Sequence, residues 1–277
     1  MKLDVATLTD PGRERKENED NVWAQTYTTS HGDSIGLFVV CDGMGGHLGG
    51  KHASYWAIEA IKHEMNSLFC PTDPRATLHL PIKEVMSAID KGKSTRKTLS
   101  AEIEELIIKA IQKANLVVYE YAVKKPQKAA DAGTTITLAV VHGDLAIMAN
   151  VGDSRTYLLH DHQLTQISRD HSLVASLVAN GQLEPHEIYS HPQRNMIYRS
   201  LGQKKEIQVD IFHHTLSSGD TLLLCSDGLW EMVQDDTIIA GLIEEDGTLD
   251  DGCTRLVEAA NTAGGEDNIG VVLARVT

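Results

Sequence analysis

The residues with the clearest chemical purpose are carboxylates set beside glycine at the ends of apolar runs. Leu37-Phe38-Val39-Val40-Cys41 stops at Asp42-Gly43, and Leu222-Leu223-Leu224-Cys225-Ser226 stops at Asp227-Gly228. Apolar runs of that length bounded by glycine read as buried strands ending in turns. A strand end holds its carboxylate in place, and the glycine lets the chain turn sharply and bring a carbonyl close to a ligand. Two such ends brought together make a cluster of hard oxygen donors, which suits Mg²⁺ or Mn²⁺ better than Zn²⁺. Asp-Gly is also a common turn dipeptide, so either stretch alone reads first as a hairpin. Two further acids sit in tight turns next to strands: Asp153 in Gly152-Asp153-Ser154-Arg155, and Asp267 in Glu266-Asp267-Asn268. Near the N-terminus, Pro11-Gly12 is followed by Arg13-Glu14-Arg15-Lys16-Glu17-Asn18-Glu19-Asp20. That run reads either as a solvated loop or as a phosphate-binding arginine beside metal-orienting acids.

The elements that must position these groups follow from hydrophobic periodicity. Strands are expected at about 3–8, 22–27, 35–41, 134–141, 145–151, 155–160, 207–213, 220–226 and 269–276. Helices are expected at about 51–68, 101–124 (capped by Ser100), 235–245 and 249–262, with a short one at 83–90. Hairpin-sized links between strands favour antiparallel sheets with helices packed outside, an α+β arrangement. Residues 70–99, with Pro71, Pro74, Pro81 and the basic cluster Lys91–Lys97, read as a solvated loop insertion. Residues 168–202 are polar and irregular and could form a mobile flap. Gly92-Lys93-Ser94 lacks the first glycine and the preceding strand of a P-loop, so a nucleotide-hydrolase reading fails.

Bulk properties exclude several classes. The chain has 277 residues, 42% of them hydrophobic, and a formal net charge of −14. That length allows one or two domains and a substantial core. A nucleic-acid binder would need a basic face, which this composition argues against. Cys41, Cys70, Cys225 and Cys253 form no C-x-x-C pair, so neither a zinc site nor a dithiol redox motif is expected. The N-terminus lacks the apolar core of a signal peptide and no apolar run reaches membrane-spanning length, so a cytoplasmic location without a membrane is expected.

Taken in order, the motifs resemble the metal-dependent protein phosphatases, the type 2C serine/threonine family, in its bacterial branch. The matching pieces are Gly12–Arg15 with Asn18-Glu19-Asp20; Asp42-Gly43-Met44-Gly45-Gly46-His47; Gly133-Thr134-Thr135; Gly152–Arg155; His191-Pro192-Gln193-Arg194-Asn195; Ser226-Asp227-Gly228; and Glu266-Asp267-Asn268. They span nearly the whole chain. The resemblance implies one phosphatase domain over 1–277, built as a four-layer αββα sandwich of two antiparallel sheets flanked by helices. It implies a Mn²⁺ or Mg²⁺ centre of two ions at one end, with a weaker third. Asp42 would bridge both ions, the Gly43 carbonyl would bind one, and Asp227 and Asp267 the other. Asp153 would join Asp227 at the third ion. Glu19 and Asp20 would act through metal-bound water, Asn268 would support the Asp267 end, and Arg15 would hold the phosphate.

The implied reaction is hydrolysis of phosphoserine or phosphothreonine in a protein by a water or hydroxide shared between the ions. No protein nucleophile is needed, and no cysteine here has Arg six residues later, as a cysteine phosphatase would require. Met44 stands where the eukaryotic branch carries histidine, so the leaving-group acid is open between His47 and a metal-bound water; His47 reads equally as a loop residue capping backbone. The expected partners are a phosphoprotein, namely a serine/threonine kinase or its target, with the enzyme a monomer. An inactive adaptor that binds phosphoproteins is the alternative; the acids and Arg15 it should have lost are all kept. A different metallohydrolase on the same scaffold is a third reading.

Overall fold

The computed structural model describes residues 1–28, 34–45, 49–69, 94–124 and 131–277. The strands, in chain order, are β1 (Leu3–Asp10), β2 (Asn21–Thr28), β3 (Ser34–Cys41), β4 (Gly43–Met44), β5 (Gly133–Thr134), β6 (Ile136–His142), β7 (Leu145–Val151), β8 (Arg155–His160), β9 (Gln163–Gln166), β10 (Asp210–Thr215), β11 (Thr221–Cys225) and β12 (Ile269–Val276). The helices are α1 (Gly49–Met65), α2 (Ser94–Lys124), α3 (Leu173–Ala179), α4 (Asp227–Trp230), α5 (Asp236–Glu244) and α6 (Leu249–Thr262).

One sheet has the order β1-β12-β11-β8-β9 and the other β10-β7-β6-β3-β2, with every pair antiparallel. Strand β3 shows why its sequence is an unbroken apolar run. Leu37, Val39 and Cys41 pack under α1 and α2 together with Ala57, Ile61, Ile107 and Ile111. Phe38 and Val40 point the other way, into a layer shared with Leu158, Leu222, Leu224 and Val272 of the facing sheet. A strand covered on both faces has no polar side to alternate with. The first sheet is covered in turn by Leu229, Ile239, Ile243 and Leu256 of the C-terminal helices, packed on Leu223, Cys225, Val271 and Leu273. The layers are therefore helix, sheet, sheet, helix, the αββα order that the resemblance implied.

Three local expectations are corrected. Helix α2 begins at Ser94 rather than after a Ser100 cap, so residues 94–99 of the expected loop insertion are helix. Its first turns are fastened to the second sheet: Arg96 reaches Asp144 at 3.1 Å and Thr215 at 3.4 Å, and Leu99 packs against the apolar cluster. The rest of that segment, including the short helix at 83–90, lies outside the described residues. Strand β9 was not expected because only Leu164 of Gln163–Gln166 is buried, which leaves no apolar run. Its hairpin turn uses Asp161 and His162 at φ of 46° and 65°, a left-handed pair usually supplied by Asn-Gly. Finally, Asp227 opens a single helical turn, α4, where a plain turn was expected.

The inter-sheet layer should dominate stability. Phe38 is wholly buried there. Phe38→Ala is expected to lower unfolding free energy by about 3–5 kcal/mol, read from the urea midpoint at unchanged slope.

Candidate active site

The acids singled out above come from both sheets and meet at one end of the sandwich. Asp42 lies between β3 and β4, Asp153 between β7 and β8, Asp227 at the start of α4 after β11, and Asp267 just before β12. All four line one open cavity of about 430 Å³, together with Arg15, Glu19, Gly43, Asn195, Ile197 and Asn268. Asp20 lies behind them, buried. His47 lies outside the described residues.

Asp42, Asp153 and Asp20 are fixed through backbone groups or one oxygen, which leaves carboxylate oxygens over, whereas Asp267 accepts from the Asn268 N–H with Oδ1 and from Arg15 with Oδ2. The Asp42 N–H donates to Thr135 Oγ1 at 3.0 Å, and its carbonyl accepts from Thr134 Oγ1 at 2.7 Å and from the Thr135 N–H at 2.9 Å. Thr135 Oγ1 also meets Ser154 Oγ at 2.7 Å, which joins the Asp42 and Asp153 turns directly. The Asp153 carbonyl accepts from the Trp230 indole N–H at 3.1 Å, tying it to the helical turn that carries Asp227. Asp20 Oδ2 accepts from Ser226 Oγ at 2.6 Å. Asn268 acts more widely than expected. Its Nδ2 donates to the carbonyls of Pro11 (2.9 Å) and Glu17 (3.0 Å), and its Oδ1 accepts from the Glu19 N–H at 2.8 Å. It therefore anchors the whole N-terminal loop that carries Arg15, Glu19 and Asp20.

Crowding these acids shifts their protonation. Asp42 is held well above the usual carboxylate range by burial and then by the charges of Asp227, Asp20, Asp153 and Asp267. Asp227 is raised by burial and by Asp153 and Asp267. Burial pushes Asp20 up to about 7, and burial with the charge of Asp170 does the same for Asp153. Arg15 stands at the exposed rim, with Nη2 donating to Asp267 Oδ2 at 2.5 Å. Lys51, whose charge opposes the α1 dipole, is paired with Glu17 at 3.2 Å.

The donor set fits small oxygen-seeking cations. Its candidate ligands are oxygens, chiefly carboxylates, with no histidine or thiol among the described lining residues. Asp20 Oδ1 and Asp227 Oδ1 are buried without a hydrogen-bond partner, and a partner with positive charge would satisfy both. Gly43 is packed so closely against the Gly50 and Glu19 backbone that a Cβ could not be placed there, so the chain is built for close approach at that point. Among the described residues no three such side chains converge into a finished ligand cage; the acids stand around the cavity wall.

Sequence reading missed several residues that build this site. Thr134 and Thr135 belonged to a recognised motif but had no role until their bonds to Asp42 were seen. Ser226, Trp230 and His171 gave no signal beyond lying next to acids. Asn195 and Ile197 line the cavity from the irregular segment 191–199, and Arg194 fastens that segment to Glu231 (3.3 Å) and Glu266 (3.1 Å).

The raised carboxyls set a pH dependence. In the unfolded chain these aspartates titrate near 3.8, and in the fold Asp20 and Asp153 titrate near 7. The folded, cation-free protein therefore holds more protons than the unfolded chain across that window, and stability is lost as pH rises through it. The melting temperature of the chelated protein is expected to fall from pH 4 toward pH 7 where these groups dominate. Asp227→Asn is expected to raise it near neutral pH, and Mn²⁺ to raise it for the unmodified chain but less for the variant. Differential scanning calorimetry with and without chelator measures all three.

Known proteins match this arrangement. A sequence model of the protein phosphatase 2C family matches residues 13–246. The serine/threonine phosphatase stp of Listeria monocytogenes is 35% identical over 266 residues, covering 96% of this chain and 92% of that protein. The structure of the S. agalactiae serine/threonine phosphatase superposes with a TM-score of 0.79 at 32% identity, covering 100% of both chains. The catalytic domain of the phosphatase PstP, solved in complex with two manganese ions, superposes with a TM-score of 0.75 at 29% identity and 99% coverage of both. With its motifs, sandwich and acid-lined cavity, the chain belongs to the protein phosphatase 2C family of metal-dependent serine/threonine protein phosphatases.

Proposed function

We propose that the chain removes phosphate from phosphoserine and phosphothreonine in proteins using two Mn²⁺ or Mg²⁺ ions, with a third held more weakly. The observation that carries this reading is the convergence of Asp42, Asp153, Asp227 and Asp267 on one cavity with Arg15 at its rim. Asp42, the Gly43 carbonyl, Asp227 and Asp267 hold the two ions, and Asp153 with Asp227 serves the third. Once bound, the ions reverse the sign of the local field and lower the pKa of water in the site. Every other task falls to the chain. Glu19 on the cavity wall and Asp20 behind it would orient water held by the ions. Arg15 offers its planar fork to the phosphoryl oxygens and stabilises the charge that grows on them. Asn268 keeps the Arg15 loop in register with Asp267.

The substrate is a phosphoprotein, which we infer to be a serine/threonine kinase or a target of one. Residues 1–277 are read as one catalytic domain that works as a monomer in the cytoplasm, without nucleic acid or membrane. The strongly acidic charge supports the reading without nucleic acid. Among the described residues no helix is long and apolar enough to cross a membrane.

Hydrolysis of a phosphothreonine peptide tests the assignment. Turnover is expected with Mn²⁺ or Mg²⁺, and its loss with excess chelator and in Asp227→Ala. Arg15→Ala is expected to cut kcat/KM by about 10²–10³-fold, and Arg15→Lys to restore only part of it because the fork is lost. Full activity of Asp227→Ala would overturn the metal assignment, and an Arg15→Ala enzyme of unchanged kcat/KM would remove Arg15 from the phosphate.

A further inference from the structure

The run Arg169-Asp170-His171-Ser172 has no place in the reading above, yet His171 sits at the most constrained point of the Asp153 turn. Its side chain is buried, with 3% exposure. Its Nδ1 accepts the Gly152 N–H at 3.0 Å, and its own N–H donates to the Gly152 carbonyl at 2.9 Å. Gly152 adopts φ of 115°, and a Cβ there would run into Thr135, so this turn is held in a conformation that only glycine takes readily. His171 thus holds both polar groups of the residue immediately before Asp153, the N–H through its ring and the carbonyl through its backbone N–H.

The hydrogen-bond network also fixes the ring. Because Nδ1 accepts, the proton of the neutral ring is on Nε2. Nε2 lies 3.3 Å from Asp210 Oδ2 on β10, and Arg199 Nη1 donates to Asp210 Oδ1 at 2.7 Å. Arg199 Nη1 also stands 2.9 Å from Nε2, where neither group can accept from the other; their shared partner Asp210 holds both. Burial and the Arg199 charge favour the neutral ring, in keeping with that tautomer. The same residue carries the segment over the cavity: its carbonyl accepts the Tyr198 N–H at 2.9 Å, and Tyr198 stacks edge-on against the ring at 5.8 Å.

We propose that His171 is the positioning residue of the Asp153 turn: its Nδ1 fixes the Gly152 N–H, and thereby aims Asp153 for divalent-cation binding. The inference rests on the reading of Asp153 as a metal-holding acid. An asparagine at this position would place an acceptor near where Nδ1 stands, whereas leucine fills similar space with none.

The test is Mn²⁺ binding to the chelator-stripped full chain by titration calorimetry, beside melting curves, for the native protein, His171→Leu, His171→Asn and Asp153→Asn. His171→Leu is expected to weaken the weakest Mn²⁺ step by about tenfold or more, the size found when residues that orient metal ligands are removed. His171→Asn is expected to recover most of that loss at a similar melting temperature. If Asp153→Asn weakens Mn²⁺ binding while His171→Leu does not, the positioning role is overturned and the Asp153 reading stands. If Asp153→Asn itself binds Mn²⁺ normally, both are overturned. Equal impairment in the Leu and Asn variants also overturns the proposal, since bulk rather than the acceptor would then matter. Should His171→Leu fail to fold, Asp210→Ala removes the Nε2–H acceptor from a less buried position. A weaker Mn²⁺ step there supports the proposal, and native affinity overturns it.

Discussion

The constraint on which this structure depends is mutual repulsion among carboxylates held in a poorly solvated place. Burial raises the pKa of Asp20, Asp42, Asp153 and Asp227, and acidic neighbours raise each of them further. Left to themselves such groups would separate or take up protons. They stay because each is rooted where a strand ends, and the strands are locked between helices and a shared apolar layer. The core thus supplies the free energy that the site consumes, and the electrostatic tension is what a divalent cation relieves.

The way the acids are held explains the residue types around them. Hydroxyl, amide and indole side chains take hold of backbone groups, not of the carboxylates: Thr134 and Thr135 at Asp42, Trp230 at Asp153, Asn268 at the Arg15 loop. That choice fixes position while keeping carboxylate oxygens available. Asp20 gives one oxygen to Ser226 and keeps the other bare, and Asp267 gives one oxygen to Arg15 and the other to the Asn268 N–H. Two hydroxyl pairs, Thr135 with Ser154 at 2.7 Å and Thr137 with Thr156 at 2.6 Å, cross between the sheets near this end. A slip of one sheet against the other would break both, so they set the register in which the two halves of the site face each other.

Much of this was legible in the sequence. Buried strands such as β3 and β11 announce themselves by unbroken apolar runs, and α6 by its spacing, because burial on a regular element leaves a periodic trace. Asp42 and Asp227 were legible because each lies beside glycine at such a run's end, and Asp153 and Asp267 because each sits in a tight turn next to a strand. What could not be read is of another kind. Strand β9 is an edge with one buried residue, and α2 extends to Ser94 through contacts of Arg96 and Leu99 with distant strands. His171 and Trp230 act on partners, Gly152 and Asp153, that lie next to them only after folding. Local pattern encodes an element's own burial; it does not encode which loop a side chain will reach across the sandwich.

Arg155 shows how far the frame goes to keep this geometry. Its guanidinium is buried, a costly place for a charge unless every donor is used. Nε and Nη2 donate to Asp170 (Nη2 at 2.7 Å), Nη1 donates to Tyr157 at 2.9 Å, and the planar face lies 3.5 Å from the centre of the Trp230 ring. A buried ion pair of this kind contributes little net stability compared with apolar side chains of the same volume, so its value must lie in direction. Asp170 precedes His171, and Trp230 holds the Asp153 carbonyl, so the cation orients both clamps on one turn at once. Its charge also favours the ionised forms of Asp153 and Glu231, offsetting part of the repulsion that the acids create. An apolar replacement could fill the space but would leave the Asp153 turn with neither its alignment nor that offset.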